Sequence, residues 1–149
     1  MTRPTSPWQR KAAYDLLKAL GAAQSSRMRF AIIAWQAAET GWTCPANRNL
    51  WNTFAGGHLV TYPTNIACVK DVARLLTYPG FDAWAGYDHV ARAARANDPI
   101  GFMEAVCMSK WDVSRYGWPK ANHLLDIYRE LVDGLPGHWF DIVMPGPAR

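Results

Sequence analysis

The chain has 149 residues, of which 50% are apolar and 19% are charged. This length supports one hydrophobic core, so we expect a single domain over residues 1–149. The composition excludes an intrinsically disordered chain and a coiled coil, and no apolar run reaches the roughly 18–20 residues of a membrane span. The N-terminal segment lacks the apolar core of a secretory signal peptide. We therefore expect other machinery to deliver the protein if it acts outside a cytoplasm.

The charges and the metal-ligating residue types are dispersed along the chain. A net charge of +4 and a pI of about 9.1 favour an anionic partner. No predicted helix has a face rich in Lys and Arg, so a nucleic-acid binder is the weakest hypothesis. Three cysteines form no CxxC pair and four histidines have no metal-site spacing. We expect no disulfide framework, with a single bridge as the alternative, and no metal or cofactor.

Capping residues mark the first two predicted helices. Ser6, Pro7 and Gln9 follow the order of an N-cap, a first helical residue and a capping box. The second helix begins at Ser25 or Ser26 and extends to about Glu39. Each helix is followed by a glycine that can end it, Gly21 after the first and Gly41 after the second.

The helical period then disappears, and residues 51–62 have the pattern of a short hairpin that turns at Ala55-Gly56-Gly57. Thr64 can cap a third helix, whose inward residues we predict as Ile66, Val69, Ala73 and Leu76, with Pro79-Gly80 as its terminator. Three more helices are predicted over 89–97, 99–108 and 120–133, with a loop over 109–119 and an irregular tail. The fold class is therefore mostly α (α+β), a single helical domain with one small β-hairpin.

One glutamate occupies an unusual position. The apolar stripe of the second helix is Met28, Ile32 and Trp35, and its next position is Glu39. Burial and the negative end of the helix dipole both disfavour an ionised carboxyl group, so we expect a raised pKa, as a general acid requires. Alternatively, Glu39 turns to solvent or pairs with Arg48.

The other two glutamates are weaker candidates for an acid. Glu130 shares a helix face with His123, Asp126 and Asp133, which indicates a solvated side chain. Glu104 lies near Ile100 and Cys107 and is the second choice, because no polar constellation follows it.

The segment after Glu39 is rich in asparagine and tryptophan. Residues 41–54 contain three asparagines and two tryptophans. Amides supply paired donors and acceptors for sugar hydroxyl and N-acetyl groups, and indole faces stack on pyranose rings. The composition is typical of a saccharide cleft, although any single tryptophan here could belong to the core instead.

The order of these motifs is similar to that of a known family. Its elements are Glu39 ending a helix, Asn49-Leu50-Trp51-Asn52-Thr53 (similar to an Asn-Pro-Leu-Asn-Thr motif), Tyr62-Pro63-Thr64, the helix over 66–76, and Ser109-Lys110-Trp111-Asp112 with Tyr116. Over residues 30–116 the chain resembles the lysozyme-like superfamily, especially the glucosaminidase- or muramidase-like and goose-type or transglycosylase-like domains of bacteriophages. The chain departs from the pattern of this family at two points. Thr40 stands between the acid and the first glycine, and Leu50-Trp51 replaces Pro-Leu.

The resemblance implies a lysozyme-like domain whose hairpin lies next to the cleft, with Glu39 as the catalytic acid. The bond cleaved would be the β-1,4 bond between N-acetylmuramic acid and N-acetylglucosamine in peptidoglycan. Other virion proteins would be further partners, and the location would be a phage virion, or a host cytoplasm with release to the cell wall. The substrate-binding residues implied are Asn49, Asn52, Trp51, Tyr62, Thr64, Trp111 and Tyr116.

The mechanism stays open between two routes. Glycosidases usually need a second carboxylate, yet no Asp or Glu lies between Thr40 and Pro63. Either a water held by Thr64 or an asparagine attacks, or the 6-hydroxyl of the sugar closes to a 1,6-anhydro product. Asp88 or Asp112 could come near through folding. The alternative function is a non-catalytic virion or cell-wall-binding protein of the same fold.

Overall fold

A computed structural model of the protein describes residues 4–78, 86–111 and 122–133. These residues form six α-helices and one two-stranded antiparallel sheet, which confirms the mostly α fold with a small hairpin. None of the helices in the described ranges combines the length and the apolar composition that a membrane span requires. The elements are α1 (Pro7–Leu20), α2 (Ser26–Thr40), β1 (Phe54–Ala55), β2 (His58–Leu59), α3 (Asn65–Thr77), α4 (Tyr87–Arg95), α5 (Pro99–Met108) and α6 (Asn122–Val132).

The helix ends follow the predicted caps. The backbone N–H of Ser6 donates to Gln9 Oε1 at 2.9 Å, which forms half of the capping box on α1. Ser25 Oγ accepts from Met28 N at 3.0 Å at the start of α2. Gly21 has a φ of 71°, and Gly41 has a φ of 81°. The positive φ at both C-caps explains why a glycine stands there.

Helix α2 is the centre of the molecule. It packs against α1, α5 and α6, while α1 also contacts α3 and α4. The fully buried Trp35 of α2 has its ring centroid 5.4 Å from that of Trp51, 5.8 Å from Phe102 and 5.1 Å from Trp111. This aromatic cluster joins α2, the segment before the hairpin, α5 and the residues after α5.

The hairpin is short and exposed. Phe54 pairs with Leu59 and Ala55 pairs with His58, and the two intervening glycines have φ values of 58° and 81°. Positive φ at both central residues is the geometry of a type I′ turn, which matches the twist of the flanking strands.

Several predicted details need correction. Ile66 is predicted to point inward but is 39% exposed. The buried face of α3 includes Cys68 and Val72, and Ile66 lies at the edge of that face. Helix α4 begins at Tyr87 and ends at Arg95, two residues earlier at each end than predicted, because Gly86 is its N-cap. The Pro79-Gly80 terminator, Asp112, Tyr116, the loop over 112–119, Lys120 and the C-terminal tail lie outside the described residues.

We predict that Trp35→Ala lowers the free energy of unfolding by about 3–5 kcal/mol, because it removes the ring that the aromatic cluster surrounds. Denaturant unfolding followed by circular dichroism measures this loss. Phe54→Ala serves as the control, since Phe54 is 62% exposed and its removal should change stability by no more than about 0.5 kcal/mol. Similar effects of the two substitutions would contradict the central position of Trp35.

Candidate functional site

The candidate site is the C-terminal end of α2 together with the segment that precedes the hairpin. Glu39 is half-buried in the last turn of α2. Asn52 Nδ2 donates to the backbone oxygen of Glu39 at 2.7 Å and to Glu39 Oε2 at 3.1 Å. One amide group therefore satisfies a carbonyl at the helix end and also orients the carboxyl group.

The backbone of Asn52 explains how its side chain reaches α2. Its φ is 55°, in the left-handed region that asparagine enters more readily than most residues with a Cβ. The resemblance implied one cleft for Asn52 and Glu39, and the structure shows a contact between their side chains. Thr40, the next residue of α2, also contacts this segment, since its Oγ1 donates to Leu50 O at 3.0 Å.

Asn49 has a structural role rather than the predicted place on a cleft wall. Its side chain is fully buried, and its Nδ2 donates to Thr53 O at 2.8 Å and to Val60 O at 2.9 Å. Its Oδ1 accepts from Thr53 N at 2.8 Å. The amide is thus used to close the base of the hairpin, and it is buried away from any substrate.

Trp51 is also a correction to the predicted site. It is fully buried against Trp35, so its ring cannot stack on a sugar in this structure. Its backbone oxygen accepts from Trp111 Nε1 at 2.9 Å. Trp111 is half-buried, and its backbone N–H donates to Ser109 Oγ at 3.2 Å. Trp111 therefore connects the end of α5 to the residue directly before Asn52.

Tyr62 and Thr64 connect the hairpin to α3. Tyr62 is buried, and its hydroxyl donates to Asp71 Oδ2 at 2.5 Å. Burial and the Asp71 carboxylate both raise the pKa of the Tyr62 phenol. Thr64 is exposed, and its Oγ1 accepts from Ala67 N at 3.2 Å as the N-cap of α3. Tyr62 is therefore buried rather than exposed on a cleft wall, and Thr64 has a capping role. Tyr116 lies outside the described residues.

Phe54 is an exposed aromatic residue that sequence analysis missed. It is 62% exposed, and its cross-strand partner Leu59 is 46% exposed. It follows Asn52 by two residues, with the buried Thr53 between them. The signal that could have identified it is the alternation of buried and exposed positions that a hairpin strand imposes on Thr53 and Phe54.

The remaining charged candidates are spread over other elements. Glu104 is half-buried on α5, and Glu130 is exposed on α6, as predicted. Asp88 pairs with Arg92 at 2.7 Å within α4. Arg48 Nη1 donates to Cys44 Sγ at 3.2 Å. Among the described residues, no group of three or more His, Cys, Asp or Glu side chains is arranged to hold a metal ion.

The chain was compared with protein-family models, curated proteins and solved structures. No family model matches it, and no curated protein or solved structure matches it significantly.

We predict that the folded state loses stability between about pH 9 and pH 11. Cys68 is fully buried, and its Sγ accepts from Leu50 N at 3.3 Å; burial raises the pKa of its thiol from 9.0 to about 11. The unfolded chain therefore releases this proton at a lower pH than the native chain. The contribution of the Cys68 thiol to the free energy of unfolding is complete below pH 9 and is lost as the pH rises through 11. The Tyr62 phenol acts in the same direction.

Thermal unfolding at pH 8 and pH 10.5 measures this loss. Cys68→Ser keeps an acceptor for Leu50 N and removes the titrating thiol, so its melting temperature should fall less than that of the wild type over this interval. Cys44→Ser, at a half-buried position, is the control and should behave as the wild type. Equal losses in Cys68→Ser and the wild type would contradict the assignment to Cys68.

Proposed function

We propose that the protein is a glycosidase that degrades peptidoglycan, with Glu39 as its single catalytic carboxylic acid. The observation that carries this proposal is the contact between Asn52 Nδ2 and Glu39 Oε2 at the end of α2. The amide donor orients this half-buried carboxyl group next to an exposed hairpin, along which a glycan would meet the acid. The motif resemblance to the lysozyme-like superfamily supplies the substrate class, the β-1,4 bond between N-acetylmuramic acid and N-acetylglucosamine.

The proposed chemistry needs one carboxyl group at the start. Glu39 protonates the glycosidic oxygen as the bond to the anomeric carbon breaks. No Asp or Glu lies between Thr40 and Pro63, so the hairpin does not provide the usual second carboxylate. Glu39, once deprotonated, then accepts a proton either from an attacking water or from the 6-hydroxyl of the sugar. The first route gives a reducing end and the second gives a 1,6-anhydro product.

The charge of the protein agrees with such a substrate. Peptidoglycan carries carboxylates on its stem peptides, and the chain has a net charge of +4. Arg48 and His58 are exposed in the segment and the hairpin that adjoin Glu39. These side chains would lie near an anionic polymer bound along the hairpin.

A second candidate function is a non-catalytic virion or cell-wall-binding protein. The observation that favours it is the burial of Asn49, Trp51 and Tyr62, which leaves fewer polar and aromatic residues for a cleft than the motif implies. In that case the bond between Asn52 and Glu39 only caps α2.

We expect Glu39→Gln to abolish peptidoglycan cleavage and to leave the fold intact, because the amide cannot donate the proton but can still accept from Asn52. Purified peptidoglycan is digested with each protein, and the products are identified by mass spectrometry. Glu104→Gln is the matched control and should retain activity. Reducing-end fragments indicate hydrolysis, and anhydro fragments indicate the transglycosylase route.

Two outcomes would count against this assignment. Intact glycan with the wild type over several wall chemotypes would favour the binding protein. If Glu39→Gln cleaved peptidoglycan and Glu104→Gln did not, the catalytic acid would be Glu104 on α5.

We also expect Phe54→Ala to raise KM by roughly two- to tenfold with little change in kcat, since stacking on an aromatic ring adds about 0.5–1.5 kcal/mol. Tyr14→Ala removes another exposed aromatic side chain, on α1, and is the control. Initial rates on soluble glycan fragments measure both constants. An unchanged KM in Phe54→Ala would exclude Phe54 from the site.

A further inference from the structure

A chain of polar side chains, two buried and one half-buried, runs from the start of α1 to the segment that carries Asn52. Gln9 Nε2 donates to Gln36 Oε1 at 2.9 Å. Gln36 Nε2 donates to Thr40 Oγ1 at 2.7 Å and to Gly41 O at 3.0 Å. Thr40 Oγ1 has one hydrogen and two acceptors within reach, and Leu50 O at 3.0 Å is nearer than Gln36 O at 3.3 Å. We call these three side chains, of Gln9, Gln36 and Thr40, the polar relay.

The relay places two amide side chains inside the hydrophobic core. Gln9 and Gln36 are each 1% exposed, and burying an amide is costly unless its hydrogen bonds are made. Both hydrogens of the Gln36 amide have acceptors, and its oxygen has a donor. Apolar side chains of the same shape would serve stability about equally well. Stability alone therefore does not explain why amides stand at these two positions.

The relay reaches both of the segments that the Glu39–Asn52 contact joins. Thr40 and Gly41 directly follow Glu39, and Leu50 precedes Asn52 by two residues. The Thr40–Leu50 bond and the Asn52–Glu39 bond run between the same two segments, so a shift of one segment stretches both. The relay connects this pair of bonds to Gln9, whose Oε1 is already held by the N–H of Ser6.

We propose that Gln36 and Thr40 are positioning residues, which hold the segment bearing Asn52 against the end of α2 and so fix the carboxyl group of Glu39. The part of this proposal that concerns catalysis rests on the proposed glycosidase function. A misplacement of about 1 Å in a catalytic group can reduce a rate by about a hundredfold. Removing the hydrogen bonds of Gln36 or Thr40 should therefore lower kcat and leave KM nearly unchanged.

The test compares Thr40→Val with Thr40→Ser. Valine has nearly the same shape and lacks the hydroxyl, whereas serine keeps it. A second variant, Gln9→Met with Gln36→Met, removes both amides together, so that neither amide is left facing an apolar partner; it also removes the bonds of these amides to Ser6 N, Thr40 Oγ1 and Gly41 O. Val72→Ala, in the buried face of α3, is a control for destabilisation alone. The melting temperature of each protein establishes that it is folded.

Two readouts are taken for each protein. The first is the NMR position of the Asn52 side-chain amide, assigned with Asn52→Ala. The second is the split between kcat and KM on peptidoglycan fragments. We expect Thr40→Val and the double Met variant to shift the Asn52 amide resonances and to lower kcat about ten- to a hundredfold, with KM within about twofold. Thr40→Ser and Val72→Ala should match the wild type in both readouts.

The outcomes separate this proposal from the function on which it rests. Unshifted Asn52 resonances in Thr40→Val and in the double Met variant would overturn the positioning role. Shifted resonances with an unchanged kcat in an active enzyme would overturn its importance for catalysis. Shifted resonances in a protein whose wild type cleaves nothing would support the positioning role and refute the glycosidase.

Discussion

The packing around Trp35 is the constraint on which the site depends. Its ring contacts Trp51 and Trp111, and Trp111 Nε1 donates to the backbone oxygen of Trp51. Because Trp51 is the neighbour of Asn52, these contacts fix where the Asn52 backbone lies relative to α2. The rest of the site then follows locally, since a left-handed Asn52 directs its amide to the end of the helix. The aromatic core thus sets the position of a polar contact at its edge.

The ends of α1 and α2 and the start of α3 could be predicted from the sequence because their signals are local. Ser6 and Gln9 are three residues apart, and Gly41 directly follows the helix that it terminates. Thr64 likewise caps α3 through the N–H three residues later. Each of these arrangements depends on a few neighbouring residues and on the geometry of one helical turn. Long-range packing does not need to be known for them.

The loop residues could not be assigned in the same way. Asn49 bonds to Val60, eleven residues later, and Trp51 packs on Trp35, sixteen residues earlier. In a segment without helical or strand period, the residue type does not indicate whether an amide or an indole faces solvent. The motif resemblance assigned Glu39 and Asn52 to one cleft, but it also assigned Trp51 to that cleft and gave no role to Phe54. The exposed ring is the one on the hairpin strand.

The distribution of polar groups bears on the choice between an enzyme and a binding protein. A binding surface needs exposed donors and acceptors, whereas Gln9 and Gln36 are placed in the interior, where they contact backbone and each other. Such groups add little net stability when satisfied, but they restrict the conformations that the surrounding segments can adopt. Here the restricted segments are the end of α2 and the residues before the hairpin. Tight geometry at one carboxyl group is of more use for proton transfer than for adhesion, because proton transfer depends steeply on the distance between donor and acceptor.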